Sequence, residues 1–420
     1  MKKSVTAYIR QLSHYFSASL IPMLLTLLIN PLVALNMSPE DFAITGYYTS
    51  FATLIAPIVA FYMIHYYNKR YFELDESGRE HLKAVIFKAL IIFSGIVTIV
   101  CLIALIIYLK CIADVEFAMF PYLYFAILPI LFTGIYNLEL AEYKMKRESK
   151  AYLNLSMIKG VGGVCSTLLF VVLLKWQAVG KLLAPLIVDM LVFIYLTIKH
   201  IDVWKTKTAI KELIPILKFC WPLALGAALG YFSNGYDKAV LEPLGNVDEF
   251  GYYCVGTSLA AYLSVFTSSI SATFQPDTYS AIISDDRCKL FKVVLVRMLL
   301  TCGVVAAFIV FCPLVVKVLT AGKYMASVPY ARVFAIASVT SSMYYIINDY
   351  SIARGKPQLY LITTVIGSLL IMFLMPVFVK EYSYLGGAIM SVLSFVVLFI
   401  INLILLCFTK NASNKSSMDH

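Results

Sequence analysis

The chain has 420 residues, 61% hydrophobic and only 14% charged, against about 25% charged in an average soluble domain. With a mean hydropathy of +0.83 it cannot be a water-soluble globule, and since one span consumes about 20 apolar residues, spans leave no room for a sizeable soluble domain. The formal charge of +10, from 34 basic and 24 acidic side chains, belongs in such a chain to cytoplasmic loops rather than to nucleic-acid binding, so no nucleic-acid partner is expected.

From the N-terminus, Lys2 and Lys3 precede an apolar run that continues past Leu35 without a small-residue cleavage site, which predicts an uncleaved first span over 14–35. Apolar windows bounded by charge or turn clusters predict further spans over 41–66, 85–109, 117–141, 153–174 and 181–199. A second set follows over 214–240, 250–275, 292–316, 328–350, 358–379 and 385–409. The expected fold class is an all-α integral membrane protein of about twelve transmembrane helices.

The N-terminus, the even-numbered loops with their flanking turns, and the tail hold 26 of the 34 basic residues; the odd side holds seven, and Arg332 lies within a span. This asymmetry places both termini in the cytoplasm. The odd-side loops, such as Asn36 to Glu40, are very short. They offer no platform for the acceptor and catalytic carboxylate of a polymerase or ligase, so the protein is not expected to be an enzyme. The sequence holds no Walker P-loop, no G-x-S-x-G, no zinc signature and no C-x-x-C pair among its nine cysteines. Neither ATP hydrolysis nor a resident metal or cofactor is expected.

Shifting the chain on itself by 208 residues aligns Pro39-Glu40-Asp41-Phe42-Ala43 with Val247-Asp248-Glu249-Phe250-Gly251. The register continues unbroken: Thr49-Ser50 meets Thr257-Ser258, and Arg79, Leu82 and Val85 meet Arg287, Leu290 and Val293. An offset of six spans preserves orientation, so the halves read as parallel repeats about an axis along the membrane normal. Six-helix lobes over 1–204 and 205–410, then a disordered cytoplasmic tail over 411–420, are expected. Two such bundles enclose a central cleft that opens to either side by rocking. Pro22 and Pro31 in the first span, and Pro215 and Pro222 in the seventh, put weak points in corresponding helices.

A charge at bilayer depth costs at least about 2.5 kcal/mol, so intramembrane ionisable residues are functional candidates. Asp189, about 12 Å into its span, either carries a coupling ion or ties two helices together. Lys159, about 9 Å deep and followed by Gly160, Gly162 and Gly163, either meets a phosphate or snorkels to the interface. Arg297 and Arg332 are similar cations nearer the ends of their spans. Asp237 and Lys238, adjacent in the crowded Asn234–Lys238 segment, are expected to face different sides, with one turned to the cleft. His14 and His65, at the cytoplasmic edges of the first two spans, are either ordinary interfacial histidines or members of a proton relay.

Several segments together resemble the polysaccharide exporters of the multidrug/oligosaccharidyl-lipid/polysaccharide (MOP) flippase superfamily, of the Wzx O-antigen flippase type. They are Tyr236-Asp237-Lys238 leading through Leu244-Gly245 to Phe250-Gly251-Tyr252-Tyr253; Leu319 to Tyr324; Ala353-Arg354-Gly355-Lys356; and Tyr384-Leu385-Gly386-Gly387-Ala388-Ile389, with Ser38 to Phe42 as the first-half counterpart. The resemblance implies a two-lobed, MATE-like flippase that carries an undecaprenyl-diphosphate-linked oligosaccharide to the outer leaflet of a bacterial inner membrane by alternating access. Lys159, Arg297, Arg332 and Lys238 would contact the substrate, Asp189 or Asp237 would carry Na+ or H+, and membrane lipids and polysaccharide polymerase or assembly proteins would be partners. Outward movement of negative charge is assisted by an inside-negative potential, at about 2.3 kcal/mol per charge per 100 mV. The alternative is an ion-coupled antiporter exporting a drug or metabolite. It would want a buried acid in span 1, whereas residues 14–66 hold acids only at Glu40 and Asp41.

Overall fold

The computed structural model describes residues 2–113, 115, 117–354 and 358–416. Gly355 and Lys356 of the third motif, and residues 417–420 of the expected tail, lie outside them. Among the described residues every regular element is helical. The main helices are α1 (Lys2–Asn36), α2 (Pro39–Ala60), α3 (Met63–Arg70), α4 (Glu76–Cys111), α5 (Tyr122–Met145), α6 (Ser149–Thr167), α7 (Gln177–Lys199) and α8 (Leu213–Leu229). Then come the short α9 (Tyr231–Asn234) and α10 (Tyr236–Leu241), followed by α11 (Val247–Ala261), α12 (Leu263–Ile283), α13 (Arg287–Leu319), α14 (Val328–Ala353) and α15 (Gln358–Ser416).

Among the described residues ten helical runs are long and apolar enough to cross a membrane, as expected where every backbone polar group must be satisfied within its own segment. The last of these, Gln358–Phe408, has 51 residues, or about 77 Å at 1.5 Å per residue, more than twice a hydrocarbon core of about 30 Å. It is broken at Ser383, where φ is 51° and ψ −138°. A Cβ on Gly367 would lie 2.3 Å from Leu398 Cδ2, and one on Gly386 would lie 2.1 Å from the Phe378 carbonyl oxygen. The two halves of α15 therefore fold back on each other, forming the two spans expected over 358–379 and 385–409. The 26 residues of α14 are also long enough to span, though Arg332, Asp349 and several serines lower their apolarity. Beyond Phe408 the helix continues to Ser416.

The repeat is visible in the helix starts. Ser38 caps α2 with a reciprocal box, its Oγ accepting from the Asp41 N–H at 3.1 Å while the Ser38 N–H donates to Asp41 Oδ2 at 2.7 Å. At the offset of 208, Asn246 caps α11 by accepting from the Glu249 N–H at 3.1 Å. Polar caps thus mark the same point in both repeats.

Helix faces show the inversion imposed by lipid. On α4 the aliphatic residues Ile92, Ile96, Ile99, Ile103 and Ile107 are each more than half exposed and recur every three or four positions as one stripe. Ser94 and Thr98 are turned inward, with the Ser94 hydroxyl donating to the Val59 carbonyl at 2.7 Å. The chain divides into two compact units. Unit 1 comprises Met1–Ala228 with Leu319–Ala321, and unit 2 comprises Leu229–Val318 with Gly322–His420. The core of unit 1 gathers Met63, Tyr67, Ile86, Phe87, Leu138 and Leu196. Unit 2 holds smaller clusters, one of Tyr344, Ile347, Phe395 and Leu398 and another around Leu263, Val305 and Ala335.

Candidate functional site

In unit 1 the two deep groups singled out by sequence meet each other. Lys159 Nζ lies 2.6 Å from Asp189 Oδ1 and 4.5 Å from the centre of the Tyr136 ring. The ion pair joins α6 to α7, and the ring face adds a cation–π contact to the ammonium. The neighbouring glycines receive protein: a Cβ on Gly160 would lie 2.5 Å from Pro22 Cγ, and one on Gly162 3.3 Å from a Val188 methyl. Two of the three glycines thus seat helices rather than a bulky ligand.

A second group in unit 1 has no counterpart in the sequence reading, which counted its lysines as loop charges. Glu139 on α5 is buried and accepts from Lys83 Nζ at 3.1 Å and Lys199 Nζ at 2.7 Å, with His200 Nε2 at 2.9 Å. Glu142, one turn on, pairs with Lys83 and with Lys146, the latter at 2.7 Å. Lys83 comes from α4 and Lys199 from the end of α7, so the cluster clamps three helices at one end of the unit. Glu139 and Glu142 sit three residues apart, which puts both on one face; that spacing was the only local signal.

Unit 2 contains a cavity of about 670 Å³, within the range of about 300–1,000 Å³ usual for small-molecule sites. Ten of its lining side chains are Ser or Thr, contributed mainly by α11, α12 and α14, and the charged groups on it are Asp237, Lys238, Arg297 and Asp349. The hydroxyls follow helical spacing: Ser264, Thr267, Ser268 and Ser271 on α12, and Ser338, Ser341 and Ser342 on α14. Arg297 on α13 is 1% exposed. Its Nη1 donates to Asp349 Oδ2 at 3.1 Å and its Nη2 to the Ser271 hydroxyl at 2.6 Å, while its Nε has no partner. The other carboxylate oxygen of Asp349 accepts from Gln275 Nε2 at 3.3 Å.

Asp237 and Lys238 depart from the expectation that they face different sides. Both are buried, both line the cavity, and Lys238 Nζ lies 3.5 Å from Asp237 Oδ2. The helix is interrupted at Gly235, with φ −155° and ψ −24°, and a four-carbon lysine stem folds back on itself where a rigid i,i+1 geometry would not. The Tyr253 hydroxyl also donates to Asp237. The preceding Tyr236 places its hydroxyl 3.5 Å from the Met372 carbonyl, which Pro376 leaves without its helical N–H.

Arg332 does not line the cavity. It is exposed, and its Nε donates to the Ile309 carbonyl at 3.3 Å. That carbonyl is the one Pro313 leaves unpaired in α13, because proline has no N–H for the i→i−4 bond. Arg354, from the third motif, pairs with Asp285 at the edge of a further cavity walled by Leu290, Ile347, Phe399 and Leu403. Among the described residues no cluster of three or more His, Cys, Asp or Glu side chains could hold a metal ion.

Residues 9–276 match the model of a family described as polysaccharide biosynthesis protein. The chain belongs to that family. A comparison with curated protein sequences finds no match. Among solved structures, the chain is similar to a multidrug resistance MATE family transporter of the MOP superfamily in an inward-facing conformation, with a TM-score of 0.74 and 15% identity, covering 96% of this chain and 99% of that one. It is similar to the lipid II flippase MurJ in an inward closed conformation, with a TM-score of 0.66 and 16% identity, covering 93% and 86%. A third similar structure is a MOP superfamily transporter from Pyrococcus furiosus, with a TM-score of 0.61 and 15% identity, covering 95% and 96%. This polysaccharide biosynthesis family member thus has the fold of MOP superfamily transporters and is a multi-pass membrane protein.

Proposed function

We propose that the protein is a flippase that moves a lipid-linked oligosaccharide repeat unit from the cytoplasmic to the outer leaflet of a bacterial inner membrane by alternating access, with both termini in the cytoplasm and no covalent chemistry. The observation that carries this reading is the hydroxyl-lined cavity of unit 2 in a chain of the polysaccharide biosynthesis family. Side-chain hydroxyls and a guanidinium are groups suited to a polyol headgroup. Family membership and the transporter fold supply the transport step. The inside orientation is supported by the 26 to 7 distribution of basic residues.

The antiporter reading is weaker on a specific ground. Asp189 and the two carboxylates on the unit 2 cavity each have a resident cation: Asp189 has Lys159 at 2.6 Å, Asp237 has Lys238 at 3.5 Å, and Asp349 has Arg297 at 3.1 Å. The Lys238–Asp237 contact is the loosest of the three, so we assign any exchanged Na+ or H+ to Asp237. The test is genetic. Cells lacking the gene should retain lipid-linked repeat units on the cytoplasmic side, and the intact gene should release them. Normal surface glycan in the deletion strain, with drug efflux as the only activity restored by the gene, would transfer the assignment to the antiporter class.

A further inference from the structure

We infer that the part of the cargo received by the unit 2 cavity is an uncharged sugar, and that Arg297 and Asp349 together read its hydroxyl groups. This inference rests on the flippase reading and narrows it to a class of glycan.

Charge comes first. Among the described residues the ionised groups on the cavity are Asp237, Lys238, Arg297 and Asp349, which sum to zero and are already matched in pairs at 3.5 and 3.1 Å. A uronate or a phosphorylated sugar would have to shed water here without gaining a net opposite charge, which is the costly case for burying an ion. An organic cation meets the same obstacle with the sign reversed.

The hydrogen bonds of the wall also have a direction. The hydroxyls of Thr257, Thr267, Ser268 and Ser341 each donate to a backbone carbonyl three or four residues earlier in the same helix, at 3.0 to 3.2 Å. A hydroxyl has one proton to give, so these groups offer only acceptor lone pairs to anything that enters. Carboxylate and phosphate oxygens also only accept, so these four positions offer them no hydrogen bond. Sugar hydroxyls donate as well as accept.

Arg297 lines the cavity and is 1% exposed, yet its Nε–H has no partner, and buried donors are rarely left unmade. A sugar hydroxyl that accepts from the guanidinium keeps its own proton to give to Asp349 or to a wall hydroxyl, so one uncharged group serves both sides. The guanidinium is held for this by Asp349 on one nitrogen and Ser271 on another.

Two measurements test the inference. Lipid-linked oligosaccharides that accumulate in cells lacking the gene are extracted and their sugars identified by mass spectrometry. A repeat unit of neutral hexoses, deoxyhexoses or N-acetylated amino sugars is expected. A repeat bearing a carboxylate or its own phosphate would overturn the inference and leave the flippase reading standing. Absence of any accumulating lipid-linked oligosaccharide would sink that reading and this inference with it. In the second measurement, full-length protein in lipid nanodiscs is titrated with the released oligosaccharide and with the same oligosaccharide after oxidation of its primary hydroxyls to carboxylates. The oxidised form should bind at least about tenfold more weakly, and Asp349→Asn, which leaves the cavity one positive charge in excess, should narrow or reverse that preference. A structural ion pair alone would not move this ratio. Equal or tighter binding of the oxidised form by the unaltered protein would refute the proposal.

Discussion

Replacing Glu139 by Gln keeps the volume of the side chain and removes only its charge, which isolates the electrostatics of the buried cluster in unit 1. The carboxylate is 2% exposed and holds Lys83 at 3.1 Å, Lys199 at 2.7 Å and His200 at 2.9 Å. Breaking a buried pair costs about 3–5 kcal/mol when the remaining charge has no other partner. Here two escapes exist: Lys83 retains Glu142, and Lys199, about a third exposed, can turn to water. The expected loss is therefore at the lower end, about 3 kcal/mol. Lys83→Met should cost less, about 1–2 kcal/mol, because Glu139 keeps Lys199 and His200 while Glu142 keeps Lys146 at 2.7 Å. Lys146→Met, at a side chain 47% exposed, should cost under about 1 kcal/mol. Denaturant unfolding of full-length protein in detergent, followed by tryptophan fluorescence, reads these values. Trp176, Trp204 and Trp221 all lie in unit 1. A loss below about 1 kcal/mol for Glu139→Gln, or a reversed order among the three variants, would refute the reasoning.

Other perturbations give sharper local answers. Gly386→Ala puts a Cβ against the Phe378 carbonyl, 2.1 Å away before relaxation, so the α15 hairpin should not close, and folded protein on size-exclusion chromatography should fall well below the yield of Gly95→Ala, where a Cβ meets nothing within 4 Å. Ser38→Ala and Asn246→Ala remove equivalent caps, and each should cost about 1 kcal/mol in the same unfolding assay; a clear loss from only one would break the correspondence between the repeats. Arg332→Gln retains a donor for the Ile309 carbonyl and should leave glycan export within about twofold of normal, whereas Arg297→Gln should reduce it at least about tenfold, the equivalent of about 1.4 kcal/mol. Equal loss from both would return Arg332 to the substrate path.

Much of the architecture is legible because the bilayer enforces a simple rule: a span must be apolar for about 20 residues. Even the two spans joined in α15 are separable in sequence by Lys380 and Glu381. The repeat is legible in the acidic pairs Glu40-Asp41 and Asp248-Glu249 and the unbroken register after them, whereas the capping roles of Ser38 and Asn246 emerge from the structure. The deep charges were equally visible as residues, and Asp189 and Lys159 were singled out together. Their partners were not legible. Glu139 meets Lys83 from 56 residues away and His200 from 61, and Arg297 meets Asp349 from 52, so no local pattern announces the pairing. The work of Arg332 depends on a proline in the preceding helix, 19 positions upstream, that frees one carbonyl. The acceptor character of Thr257, Thr267, Ser268 and Ser341 arises from hydroxyls turned back onto their own helices, a rotamer choice that composition does not record.

The most direct test is reconstitution. Purified full-length protein is placed in sealed proteoliposomes with the lipid-linked oligosaccharide recovered from the deletion strain, and the glycan exposed on the outer surface is followed with a membrane-impermeant glycosidase. The account predicts that glycan loaded on the inner leaflet becomes cleavable in protein-containing vesicles and stays protected in protein-free vesicles and in those holding Arg297→Gln. Protection that persists with the unaltered protein, under an imposed membrane potential and ion gradients of either direction, would contradict the claim that this chain moves lipid-linked sugars.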